Sequence, residues 1–137
     1  MPVGVVTALP LEASWLPDGP PGVRPLCRVG GPGEERARRA AQALLRSGAT
    51  HLVSWGLAGG IHPELPRGTL LLPRFIRGTS TFSSHGAWRS RLAASLSARL
   101  RVEDGDLLHS ASPVASARTK RALFQDWGAC GVDQESA

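Results

Sequence analysis

Tyrosine is absent from the 137 residues, and one residue in the 16 Lys+Arg is lysine. Cys27 and Cys130 are the two cysteines, too few and too far apart for a disulfide framework or a zinc site. A reducing, cytoplasmic setting is therefore expected. No apolar stretch approaches the length of a membrane span, so no integral membrane segment is expected. The opening MPVGVVTALP lacks the basic and long apolar regions of a signal peptide. His51, His62, His85 and His109 form no metal-ligand spacing, and His62-Pro63-Glu64 is not H-E-x-x-H. Neither G-x-x-x-x-G-K-[ST] nor a G-x-G-x-x-G after a strand occurs. Neither a metal nor a resident cofactor is expected.

Arginine is what the chain has instead. Fifteen of the 16 cations are Arg, and the net charge is +5. A basic balance can serve nucleic acid, anionic lipid or a phosphorylated ligand. Three Phe and four Trp do not interleave with the arginines as a base-stacking platform would, which argues against a nucleic-acid partner. At 42% hydrophobic and 20% charged residues, the chain reads as globular, with a length suited to one domain spanning 1–137.

Residues 3–9 form a β-branched, apolar run that predicts a buried strand ended by Pro10. Residues 11–17 leave room for one helical turn, and 18–22 for a loop. A second strand is expected at 23–29, on an edge because Pro25 interrupts it. Residues 34–47 predict a helix with Ala37, Ala40, Ala41, Leu44 and Leu45 inward. Glu34 and Glu35 in its first turn and Arg46 in its last suit the helix dipole, and Gly48 suits its end. Strands are expected at 51–55 and from 69 to 72. A helix over 87–100 would carry a Trp88, Leu92, Leu96, Leu100 stripe, and 101–109 reads as extended. A helix over 116–127 would bury Leu123, Phe124 and Trp127, ahead of a last strand from Ala129. This alternation favours an α/β layer fold with a mostly parallel sheet. Ligands of such sheets bind beyond the carboxyl ends of strands, which is where the glycine-rich turn 56–60 falls. Either a plain tight turn or a ligand-lining one fits that turn.

Four segments, in order, resemble the purine nucleoside phosphorylase and nucleosidase superfamily, on its 5′-methylthioadenosine/S-adenosylhomocysteine nucleosidase-like side. They are VGVVTALPLEA (3–13), GPGEERARRAAQALL (31–45), SWGLAGGIHPELPRGTLLLP (54–73) and GVDQESA (131–137). The third matches the family's G-x-A-G-G-(L/I), and the fourth its (V/M)-(D/E)-M-E-(S/A)-A. SWG-x-AGG and the segment around Trp88 look most like the hopanoid-associated phosphorylase branch, whose proposed substrate is adenosylhopane. The resemblance implies a three-layer α/β/α fold with a mixed, mostly parallel central sheet. It also implies cleavage of the N-glycosidic bond of an adenine-type purine nucleoside, by water or by phosphate as co-substrate. A homo-oligomer is expected of the completed chain.

Breaking a C1′–N9 bond builds positive charge on the sugar and negative charge on the base. By resemblance Glu12 serves the attacking water, and Glu135 accepts hydrogen bonds from the ribose hydroxyls. An ionised carboxylate is acceptor-only and suits a vicinal diol. Read without the resemblance, Glu12 is a solvated loop acid and Glu135 a terminal one. Gly56, Leu57, Ala58 and Gly59 would line the nucleoside, and Gln134 stands where the family carries a ribose-packing Met. Leu57 replaces a Ser or Thr common in the family, and no Arg lies between Thr7 and Ser14 to meet phosphate. Gly31 and Gly33, ahead of a helix, are candidates for an anion or for a plain helix-starting turn. The family's general acid sits in an (S/N)-D motif on a later strand. The sequence ends at Ala137, where the family's next helix begins, so by resemblance the chain is expected to be an N-terminal portion, lacking a final strand and helices. Exposed apolar surface, self-association and weak or absent turnover follow as expectations. A catalytically dead nucleoside-binding or interaction module is the alternative.

Overall fold

The structure is a computed structural model describing residues 1–20 and 23–136. Residues 21 and 22 of the expected loop and residue 137 lie outside the described residues. The chain divides into two compact units: Met1–Leu57 joined by Gln134–Ser136, and Ala58–Asp133.

In the first unit, β1 (Val3–Thr7) lies between β2 (Leu26–Val29) and β3 (His51–Ser54), both parallel to it. The five-residue α1 (Pro10–Ser14) follows β1, and α2 (Glu34–Arg46) connects β2 to β3. Val6 on β1 packs with Ala37, Ala40 and Leu44 of α2 and with Ala49, and Ala41 rests against them. The alanines let α2 sit close. A Cβ on Gly4 would fall 2.9 Å from the Leu52 side chain and 3.2 Å from Leu44 Cβ. The helix ends as its sequence implies, with Gly48 at φ 94 donating its N–H to the Leu45 carbonyl at 3.0 Å. β2 starts at Leu26, just past Pro25, and is an edge strand.

The second unit holds a five-stranded sheet in the order β4-β10-β9-β6-β7. Its strands are β4 (Gly59–Gly60), β6 (Phe75–Arg77), β7 (Thr81–Ser83), β9 (Leu107–His109) and β10 (Gly131–Asp133). β6, β9 and β10 run parallel, while β4 and β7 pair antiparallel at the two edges. A separate parallel pair joins β5 (Leu70–Leu71) to β8 (Val102–Glu103). Ile61, Leu108, Ala129 and Val132 form the core, with Val114 and Leu123 packed on it. The two remaining helices are α3 (Gly86–Leu96) and α4 (Ala117–Trp127). Ser116 caps α4, accepting the Thr119 N–H at 3.1 Å, and Gly128 ends it in the left-handed region.

The expected α/β class, with mixed and mostly parallel pairing, is what the units display. Four local details differ. Gly59 and Gly60, expected within a turn, form a short edge strand because they pair with Gly131 and Val132. The β6–β7 hairpin has strands of three residues, too short to show alternation in sequence. Strict spacing by four drifts around a helix of 3.6 residues per turn, and α3 buries none of its residues. Trp127, expected inside, is 49% exposed at the end of α4.

Candidate functional site

The three parallel strands of the first unit each end in a turn that carries a residue expected at the site. After β1, α1 starts at Pro10 and places Glu12 at its third position. The Glu12 carboxylate reaches back to the Leu9 N–H that precedes the helix, half of a capping box. Glu12 is 4% exposed. Its Oε2 accepts the N–H groups of Ala8 at 3.0 Å and Leu9 at 2.9 Å. Its Oε1 accepts the N–H of Leu57 at 3.0 Å. No Lys or Arg among the described residues forms an ion pair with it. Glu12 is therefore a buried acid held by backbone amides, not a solvated loop acid.

The turn after β3 is built around this carboxylate. The Trp55 N–H donates to the Val6 carbonyl at 2.9 Å, and its indole Nε1–H donates to the Glu12 carbonyl at 3.1 Å. The next residue must be glycine. A Cβ on Gly56 would lie 2.7 Å from Glu12 Oε1 and 2.9 Å from its carboxyl carbon. The apolar strand thus ends in a side-chain-poor turn because a carboxylate presses on its backbone. Leu57 gives its amide to Glu12 and leaves its side chain 66% exposed. Ala58 and Gly59 belong to the second unit, where Ala58 is exposed and Gly59 pairs with Val132.

The turn after β2 meets the end of the chain. Gly31 and Gly33 take φ 95 and 103, a backbone that favours glycine. Gly33 begins α2, and its N–H donates to Glu135 Oε1 at 3.1 Å. Glu135 Oε2 accepts the Gln134 N–H at 3.1 Å. The helix N-terminus proposed for an anion is thus met by the chain's own carboxylate, which suits its dipole. Arg36 lies over Gly31, with Nη1 3.1 Å from where a Cβ would stand. Glu135 is half-buried and anchored, unlike a frayed terminal acid.

What the arrangement offers chemically is two fixed acceptors. A carboxylate provides about four lone-pair sites. Among the described residues, Glu12 has three taken, leaving one on Oε1. Among the same residues, Glu135 has one amide on each oxygen and one site left on each, which is what two neighbouring hydroxyls require. Sequence reading missed the joining contacts: the Glu12 to Leu57 bond spans 45 residues and the Glu135 to Gly33 bond 102. No local pattern reports such a pairing. Among the described residues, no group of three His, Cys, Asp or Glu side chains could hold a metal ion. No helix among them is long and apolar enough to cross a membrane. A cleft of about 220 Å³ in the second unit, lined by Arg77, Leu108, Ser110, Leu123 and Trp127 among others, includes none of the expected site residues.

Known structures share this α/β fold. A mutant of the MTAN of Helicobacter pylori, with 5′-methylthioadenosine in its active site, superposes with a TM-score of 0.83 at 14% identity. The match covers 99% of this chain and 76% of that one. The 5′-methylthioadenosine/S-adenosylhomocysteine nucleosidase of Neisseria meningitidis, in complex with methylthio-immucillin-A, gives 0.83 at 17% identity, over 98% of this chain and 75% of that one. A futalosine hydrolase mutant of Helicobacter pylori strain 26695 gives 0.79 at 15% identity, covering 98% and 79%. No curated protein matches the chain. The family model of the Phosphorylase superfamily matches residues 18–137, and the chain belongs to that superfamily. Glu12 precedes the matched segment.

Proposed function

We propose that this chain cleaves the N-glycosidic bond of an adenine-type purine nucleoside, with Glu12 serving the attacking group and Glu135 the ribose. The observation that carries this reading is the setting of Glu12: a 4% exposed carboxylate, fixed by three backbone amides, with one acceptor site left. An anion so placed accepts a proton from an attacking water and faces the positive charge that grows on the sugar. Glu135 takes the 2′- and 3′-hydroxyls through its remaining sites. Gly56 to Gly59 and Gln134 line the nucleoside. Superfamily membership supports the reaction class, and the 5′-methylthioadenosine bound by the Helicobacter pylori relative supports an adenine-type substrate.

Adenosylhopane is the specific substrate we put forward. The exposed apolar side chains of Leu9 and Leu57, both joined to Glu12 through their amides, suit a nucleoside with an apolar substituent. The enzyme would act in the cytoplasm as a homo-oligomer. Incubation with adenosine, 5′-methylthioadenosine and adenosylhopane, with chromatography of released adenine, tests the reaction and ranks the substrates. Release that survives both Glu12→Gln and Glu135→Gln unchanged contradicts these roles.

A second reading is a module that binds a nucleoside without cleaving it. It needs only the acceptor sites of Glu12 and Glu135, which can hold hydroxyls whether or not a bond breaks. Stabilisation by 5′-methylthioadenosine with no adenine released would select it.

A further inference from the structure

Residues 8–17 and 52–57 of the first unit carry one charged side chain between them, that of Glu12, and it is buried. Both stretches turn apolar side chains outward. Leu9, Leu11, Trp15, Trp55 and Leu57 are between 36% and 66% exposed. A single exposed leucine is ordinary, whereas a contiguous apolar patch marks a contact surface.

Hydrogen bonds make these side chains neighbours. The Glu12 carboxylate accepts the N–H groups of Leu9 at 2.9 Å and Leu57 at 3.0 Å. The Glu12 carbonyl accepts the Trp15 N–H at 3.3 Å and the Trp55 indole N–H at 3.1 Å. Leu11 and Trp15 are four residues apart along α1, so they share one side of it. One buried residue thus gathers two tryptophans and three leucines where β1 and β3 end.

The flank of the patch is basic. α1 packs against β2, on which Arg28 stands beside Val6 of β1. Arg28 is exposed and forms no ion pair among the described residues. The chain as a whole carries +5, a balance the proposed reaction leaves unused. Tryptophan favours the boundary between acyl chains and headgroups. Binding at that boundary adds burial of apolar side chains to the attraction of basic ones for anionic lipid. A second copy fits less well, because an isologous contact sets a patch against itself and brings the Arg28 side chains of both copies to one interface.

We infer that this face docks on an anionic bilayer, with the two tryptophans and three leucines at the level of the upper acyl chains and Arg28 among the phosphates. The docking surface stands on geometry and charge. Its use, to take a nucleoside with an apolar substituent from the bilayer, rests on the proposed function.

The test uses the whole chain and vesicles of phosphatidylcholine, alone or mixed with phosphatidylglycerol in equal parts. Centrifugation with the mixed vesicles should carry the wild type down, and binding should fall as salt is raised. Leu11→Ser and Trp15→Ser should each bind about tenfold more weakly, and Arg28→Ala about fivefold. All three side chains are exposed, so these variants should melt with the wild type and release adenine from water-soluble 5′-methylthioadenosine at its rate. A wild type that stays in the supernatant overturns the inference, as does equal binding to pure phosphatidylcholine. So do Leu11→Ser and Trp15→Ser chains that bind as the wild type does. A dimer that Trp15→Ser turns into a monomer in sedimentation also overturns it, since a second copy then covers the patch. If the wild type cleaves no nucleoside, the proposed function fails, while the vesicles still decide the docking surface.

Discussion

Carboxylates are held in two different ways in this molecule. In the second unit, Glu103, Asp104 and Asp106 stand around β8 and β9 and meet arginine side chains. Arg74 Nη2 lies 2.6 Å from Asp104, Arg89 lies 3.5 Å from the same oxygen, and Arg101 lies 3.1 Å from Glu103. Arg77 pairs with Asp106. In the first unit, Glu12 and Glu135 meet backbone amides. An arginine brings a full positive charge and cancels the acid, whereas an amide brings a dipole, so the negative charge persists in a fixed direction. The arginine-paired acids join strands and loops, and the amide-held acids keep their negative charge uncancelled, as the proposed roles of Glu12 and Glu135 require.

The largest effect that would break this contrast is on Glu12. Glu12→Gln should lower adenine release by about 10²–10⁴, since the amide cannot take the water's proton. Glu12→Ala would also leave up to three amides without their acceptor. At about 1–3 kcal/mol for a buried unsatisfied group, a urea melt should show several kcal/mol lost. A Glu12→Ala chain as stable as the wild type would mean that these amides find other partners.

Gly56→Ala probes the same carboxylate from the other side. Its Cβ meets Glu12 Oε1 within 2.7 Å. Overpacking of this kind costs about 1–3 kcal/mol, and the displaced carboxylate should cost about 10² in rate. Thermal melts and kcat read the two separately, and an unchanged rate would free Glu12 from its assigned role. By contrast, Asp104→Asn removes half-exposed pairs, and double-mutant cycles with Arg74 should give about 1 kcal/mol or less. Adenine release should not change.

The smallest effect lies beside those same acids. Burial, and then the charges of Glu103, Asp106 and Asp104, push the Cys130 thiol above its ordinary value of 9.0. A raised value means that the folded state holds the proton more tightly. The resulting stabilisation is complete below pH 9 and is lost as pH rises through the raised value. The stability difference between wild type and Cys130→Ala should therefore change between pH 8 and 11 in that direction. Alkylation at pH 8 should label exposed Cys27 before Cys130.

Local pattern alone determined a good share of the fold. The β-branched run at 3–7 made a buried strand. The alanine stripe of α2 set its inner face, its acidic first turn and basic last turn agreed with its direction, and Gly48 ended it. Pro25 stands just before β2, which begins at Leu26. These succeed because helix and strand periods, caps and proline geometry act over a few residues. Tertiary structure decided the rest. The glycine at 56 is legible as a turn, yet its need comes from a carboxylate 44 positions earlier in the chain. Glu12 and Glu135 are ordinary acids until β1, β2 and β3 align their ends and bring amides from 57 and 33 to them. Pairing across many residues depends on which strand ends meet, and periodicity along one segment carries no record of that.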